Sequence, residues 1–137
     1  MTALLDTGFL LAVLDADDSL HADCAAAMQS ERLPLLPDVV LPELAYLLLR
    51  ELGYTPLISF LRSVVAGELA VVSSTLQDLQ RAAEILEKYA DSRVDFVDCV
   101  LVAMAERLAI TRILTVDRRH FGLFKPQHCE FFEIIPS

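Results

Sequence analysis

The sequence predicts an α/β fold: one domain over residues 1–137, built on a five-stranded, mainly parallel sheet flanked by helices. Three observations carry this. Five short apolar runs alternate with longer segments of helical period, the order of a parallel sheet with crossover helices. The runs lack the polar alternation of a half-exposed strand, so both faces of the sheet are expected to be covered. Finally, 55% of the 137 residues are hydrophobic, enough for one sizeable core.

The elements follow in chain order. "ALLD" is an apolar run ending at Asp6 and reads as the first strand. "TGFLLAVLDADD" reads as a helix, and "SLHADCAAAMQS" as a second, started by its serine. "LPLLPDVV" is the second strand, its regular part limited by Pro34 and Pro37. In "LPELAYLLLRELG", Pro42 suits the first helical position, Glu43 the first turn and Gly53 the stop. "TPLISFLRSVVAG" is another helix, ended by Gly67, and "ELAVVSS" is a strand rich in β-branched residues. "TLQDLQRAAEILEKYA" is amphipathic, with Leu76, Leu79, Ala83 and Leu86 expected on the buried face. "DFVDCVLVAMAERLA" is a largely buried helix. "TRILTVD" is a fourth strand ending at Asp117, and "CEFFEIIP" is a fifth. No repeat, low-complexity segment or linker divides the chain.

The net charge is -9, from 20 acidic and 11 basic residues, which excludes a broad electropositive nucleic-acid footprint. The same excess suits a carboxylate cluster neutralised by divalent cations. Cys24, Cys99 and Cys129 form no CxxC pair, so neither a zinc knot nor a disulfide framework is expected, and a reducing cytoplasm is. No signal peptide is expected at the N-terminus, and no uncharged apolar run is long enough to span a bilayer.

Four acids stand at telling positions. Asp6 and Asp117 end strands, while Glu43 and Asp98 lie in the first turns of helices. Ligands of open α/β sheets bind beyond the carboxyl ends of strands, near a topological switch point. If the first and fourth strands are neighbours, all four carboxylates converge. Like charges so close need compensation, and two Mg²⁺ or Mn²⁺ ions about 3.5–4 Å apart would give it while suiting phosphodiester hydrolysis. Each acid also has a plainer reading. Asp6 and Asp117 suit helix N-caps, and Glu43 suits the helix dipole. Asp95, three residues before Asp98, is expected to cap rather than ligate. The plainer readings weaken together, because Glu43, Asp98 and Asp117 each adjoin dense apolar runs, where a poorly solvated acid needs a partner.

Thr7 and Thr115 flank the strand-end acids. Each is read either as orienting a carboxylate or water, or as serving local backbone bonding. His21, His120 and His128 lack ligand spacing and are assigned surface or packing roles. Arg118, Arg119 and Lys125 are read equally as phosphate contacts or as a solvated turn. Asp-Thr-Gly at residues 6–8 is also the tripeptide of aspartic proteases, but those are β-rich and need two such loops.

Taken together, "LLDTGFLLAVLDADDSLH", "LPELAYLLLRELG", "YADSRVDFVDCVLVAMAERLAITRILTVDRRHF" and "FFEIIP" resemble a PIN domain over nearly the whole chain. A short chain of this pattern is similar to the VapC-like toxins of toxin–antitoxin pairs. The resemblance implies a five-stranded parallel sheet and an Mg²⁺- or Mn²⁺-dependent endoribonuclease. Its acidic quartet falls on Asp6, Glu43, Asp98 and Asp117. Its hydroxyls fall on Thr7 and Thr115, and Asp95 is a secondary candidate. Gly8 and Cys99 depart from the family's usual Ser or Asn and Ala. The resemblance further implies an RNA substrate, a cognate antitoxin that blocks the acidic pocket, a homodimer, and DNA contact only through the antitoxin. Three other classes compete: a PIN-domain RNA-processing nuclease, a receiver-type phosphoacceptor, and a PIN-like module that binds without cleaving. The receiver lacks support, since Asp6 has no acidic neighbour and no Lys follows "ILTV".

Overall fold

The computed structural model describes residues 2–137. Five strands form one sheet: β1 (Thr2–Leu5), β2 (Leu33–Pro37), β3 (Ala70–Val72), β4 (Arg112–Leu114) and β5 (Glu133–Ile135). Their spatial order is β3-β2-β1-β4-β5, and every pairing is parallel. The order runs outward from β1 in both directions, so the topological switch point lies between β1 and β4, paired through Leu4↔Ile113 and Leu5↔Leu114.

The central strand explains why the runs are apolar throughout. Ala3, Leu4 and Leu5 are all fully buried. Successive strand side chains point to opposite faces, so both faces of β1 are covered. Leu36, Ile113 and Leu114 continue that core. Among the described residues seven α-helices surround it: α1 (Thr7–Leu14), α2 (His21–Ser30), α3 (Val40–Leu52), α4 (Tyr54–Val65), α5 (Leu76–Lys88), α6 (Phe96–Leu108) and α7 (Arg118–Leu123). A short 3₁₀ turn spans Ala90–Ser92. The α6 helix is buried continuously from Val97 to Ala105, as its unbroken apolar sequence requires. Among the described residues no helix is long and apolar enough to cross a membrane.

Several sequence expectations shift for physical reasons. α1 stops at Leu14, because the carboxylates of Asp15 and Asp18 take the amides of Asp17 and Leu20 and turn the chain. Ser19 therefore does not start α2, whose N-cap is Leu20 with no side-chain bond. α3 begins at Val40, placing Pro42 third, where its missing N–H still costs no helical bond. Gly53 ends α3 at φ 89, a conformation suited to glycine, as the stop signal implied.

On α5 the expected face is reversed. Leu76 and Leu79 are exposed, Ala83 is exposed and Leu86 is half-buried, while Asp78, Ala82 and Ile85 face inward. Asp78 can be buried because Arg107 of α6 covers it, Nε at 3.0 Å from Oδ1 and Nη2 at 2.9 Å from Oδ2. Burial pushes this carboxyl upward, but the Arg107 guanidinium and the Thr75 amide hold it below the usual range.

The sequence assigned no element to "RRHFGL", although Asp117 before it suits a helix N-cap; it forms α7. Its inward side is aromatic. Phe121 and Phe124 are buried and meet edge-to-face with centroids 5.6 Å apart, and Tyr89 packs on Phe124 at 5.2 Å. This cluster pins α7 against the segment that leads into α6.

Candidate metal centre

The carboxyl end of β1 delivers Asp6 to the switch point. Its backbone amide continues the ladder to Leu114 O at 2.9 Å, and its side chain caps α1 by accepting from the Thr7 amide at 2.8 Å. The other carboxylate oxygen accepts from the Thr115 hydroxyl at 2.6 Å. Thr115, fully buried, in turn accepts from the Asp117 amide at 3.0 Å. One hydroxyl thus ties the end of β1 to the loop after β4.

Asp98 is carried in by α6. Asp95 is the N-cap, its side chain accepting from the Asp98 amide at 2.8 Å, so Asp95 takes the capping position. Asp98 is 4% exposed, and its carboxylate has none of the hydrogen bonds that satisfy Asp6. Asp117 caps α7 by accepting from the His120 amide at 3.0 Å. The His120 ring lies against the same carboxylate, Nδ1 at 2.9 Å from Oδ2. Nδ1 is also 3.8 Å from Oδ2 of Asp98. One oxygen of Asp98, one of Asp117 and a ring nitrogen of His120 all lie within 4.8 Å of one another.

His120 was given a surface or packing role from sequence; the structure sets its ring against Asp117, near Asp98. The available signal was Asp-x-x-His opening a helix, since N-cap and N3 side chains meet. His21 and His128 do lie elsewhere, against Ala12 O and Ile110 O.

Burial and mutual repulsion dominate the electrostatics. Burial raises Asp6 to about 6 against the bonds from Thr115 and Thr7, with Asp95 and Glu43 adding repulsion. Asp98 is raised further, first by burial and then by Asp6, Asp95, Asp117 and Glu43. Glu43 is half-buried in the first turn of α3 and acts on both through its charge.

The residues fit a hard divalent cation. The donors are carboxylate oxygens, and two of the carboxyls are held in a dry setting that penalises their charge until a cation compensates it. The Thr7 hydroxyl, beside Asp6 and 2% exposed, has no protein partner. Gly8 lets this geometry close. A Cβ there would stand 3.0 Å from Val116 Cγ2, between Thr115 and Asp117.

The charged pocket between α5 and α6, lined by Arg81, Glu106, Asp78 and Arg107, is a different feature. Its charges satisfy each other, Arg81 Nε donating to Glu106 at 2.7 Å.

Comparison with known proteins agrees with this architecture. Residues 3–123 match the family model described as PIN domain. Ribonuclease VapC26 of Mycobacterium tuberculosis is 33% identical over 135 residues, 97% of this chain and 99% of that protein. Among solved structures, VapC20 of Mycobacterium tuberculosis, a toxin cleaving the sarcin–ricin loop, superposes with a TM-score of 0.76 at 22% identity, covering 81% of this chain and 86% of that one. VapBC2 of Rickettsia felis, bound to a DNA fragment from its promoter, superposes at 0.70 with 12% identity, covering 98% and 97%.

Proposed function

The chain belongs to the PIN domain family, and from that premise we propose that it is an endoribonuclease dependent on Mg²⁺ or Mn²⁺, the toxin of a VapBC-like toxin–antitoxin pair. The observation that carries the reading is the gathering of Asp98 and Asp117 around one point, beside an Asp6 tied to the same loop by Thr115.

Asp6, Glu43, Asp98 and Asp117 hold the cation, with Thr7 and Thr115 as supporting hydroxyls and Asp95 as the cap that aims Asp98. When bound, a divalent cation supplies Lewis acidity, offsetting phosphate charge and acidifying water at neutral pH. The protein's own part is placement. The Thr7 amide and the Thr115 hydroxyl each hold one oxygen of Asp6, and the helix caps fix Asp98 and Asp117. The unpartnered Thr7 hydroxyl is left to orient a water or a phosphate oxygen. Without a cation, these acids repel the RNA backbone, so substrate binding and metal binding are coupled.

A cognate antitoxin and a homodimer complete the proposal, with DNA reached only through the antitoxin and the cytoplasm as the place of action. Exposed Tyr46 and Leu49 on α3, with Tyr54, Ile58 and Leu61 on α4, supply apolar surface for such contacts.

The test combines the purified protein with RNA, with and without Mg²⁺ or Mn²⁺. Cleavage lost in EDTA, restored by the ion and abolished by Asp98→Asn is expected, together with growth arrest on expression. Cleavage that persists in EDTA overturns the reading.

A further inference from the structure

The geometry points to His120 as a nitrogen ligand of the catalytic cation, making the site selective for Mn²⁺ over Mg²⁺. This rests on the metal-dependent nuclease reading above and goes beyond its carboxylate quartet.

Ligand atoms at about 2.1–2.2 Å from an ion lie roughly 3 Å apart when adjacent and a little over 4 Å apart when opposite. His120 Nδ1 stands 2.9 Å from an Asp117 oxygen and 3.8 Å from an Asp98 oxygen, within that range for both. The oxygens of Asp98 and Asp117 lie with it within 4.8 Å of one another. The ring is also held there. Phe121, next in sequence, is fully buried against Phe124 and Phe132, and the His120 amide is bound by Asp117. Ligation uses the Nδ1 lone pair, which the tautomer with its proton on Nε2 presents.

A nitrogen donor changes the metal preference. Mg²⁺ demands near-octahedral oxygen donors, whereas first-row transition ions accept imidazole. Of the two ions considered for this site, the imidazole favours Mn²⁺. The alternative role is positional, His120 only orienting Asp117 through a hydrogen bond. Removing such a neighbouring group typically costs about 10–100-fold in metal affinity, so affinity alone does not separate the roles.

Two readouts on the purified protein with metal alone separate them. Pulsed EPR of bound Mn²⁺ is expected to show nitrogen modulation from a directly bound imidazole. His120→Asn, which keeps a hydrogen-bond donor toward Asp117, is expected to lose it. The other two histidines are committed to backbone carbonyls, so the signal is assignable. Calorimetric titration is expected to show the Mn²⁺-to-Mg²⁺ affinity ratio falling about tenfold or more in His120→Asn. Bound Mn²⁺ without imidazole modulation, or equal losses for both ions, overturns ligation by His120. Binding that is unchanged in Asp98→Asn, or binding of neither ion by the parent, instead overturns the metal-centre reading beneath it.

Discussion

Thr115 donates its hydroxyl to Asp6 across the switch point at 2.6 Å and accepts the Asp117 amide at 3.0 Å, so a single side chain sets two strand-end acids relative to each other. Thr115→Val keeps the shape and removes both bonds. It leaves a buried carboxylate oxygen and an amide unpaired, at about 1–3 kcal/mol of stability. The lost bond was pulling the Asp6 carboxyl down, so its titration moves further up. Urea unfolding is expected to show the loss. RNA cleavage is expected to fall at least about tenfold, with the acidic limb of its pH profile displaced upward.

Stability should fall with rising pH when metal is absent. Asp6 and Asp98 have folded-state values raised above the unfolded ones. A raised carboxyl contributes stability that is fully present below its unfolded value and lost as pH climbs through the folded one. The window therefore opens near pH 4, passes about 6 for Asp6 and continues upward for Asp98. Each proton contributes a slope of up to about 1.4 kcal/mol per pH unit. Melting curves in EDTA should show this decline, and saturating Mn²⁺ should flatten it.

Asp98→Asn isolates charge from shape. The cap of α6 stays, because Asp95 provides it. In EDTA at neutral pH the variant should melt higher than the parent, since it removes the cost of burying an acid and, after that, the repulsion from Asp6, Asp95, Asp117 and Glu43. With Mn²⁺ the parent should gain and the variant should not. Equal metal responses in both would remove Asp98 from the site.

Gly8→Ala tests the approach of α1 to the β4–α7 loop. Alanine favours a helix by about 1 kcal/mol over glycine. Here its methyl would meet Val116 Cγ2 at 3.0 Å and press on the segment between Thr115 and Asp117. Reduced cleavage is expected even where stability changes little. Val116→Ala in the same chain should restore much of the activity, a coupling measurable as a double-mutant cycle.

Arg107→Ala should separate folding from chemistry. It strands the Asp78 carboxylate, 1% exposed, and is expected to cost about 2–3 kcal/mol, the lower end for a pair whose arginine is 28% exposed. Asp78 lies beside Arg107, nine residues or roughly 13 Å along α6 from Asp98. Cleavage per folded molecule, measured below the melting transition, should stay at the parent level.

The strands and six of the seven helices were legible because each is announced by a period or a stop residue, Gly53 most plainly. What escaped depends on partners distant in sequence. Periodicity assigned Leu76 and Leu79 inward on α5, but the buried face is turned toward Asp78, Ala82 and Ile85, where Arg107, 29 residues from Asp78, covers the acid. α7 is a six-residue helix of mostly polar sequence, held by Phe121 and Phe124 rather than by its own propensity. The quartet's positions at strand ends and first turns were readable. The place of His120 was not, because it follows from the first turn of α7, which brings its ring back onto the Asp117 that caps the helix.

The bond between Thr115 and Asp6 joins residues 109 positions apart. β1 is made early in synthesis, yet the strand that completes its carboxyl edge follows only after six α-helices and two further strands. Such non-local pairing is slow to form. A chain still on the ribosome therefore carries Asp6 without Asp117, and it has no assembled cluster until β4 has emerged and docked. Catalytic competence is withheld by topology alone from every partial product that ends before Asp117. A fragment truncated before Thr115 is expected to be harmless to the cell that makes it, however much accumulates.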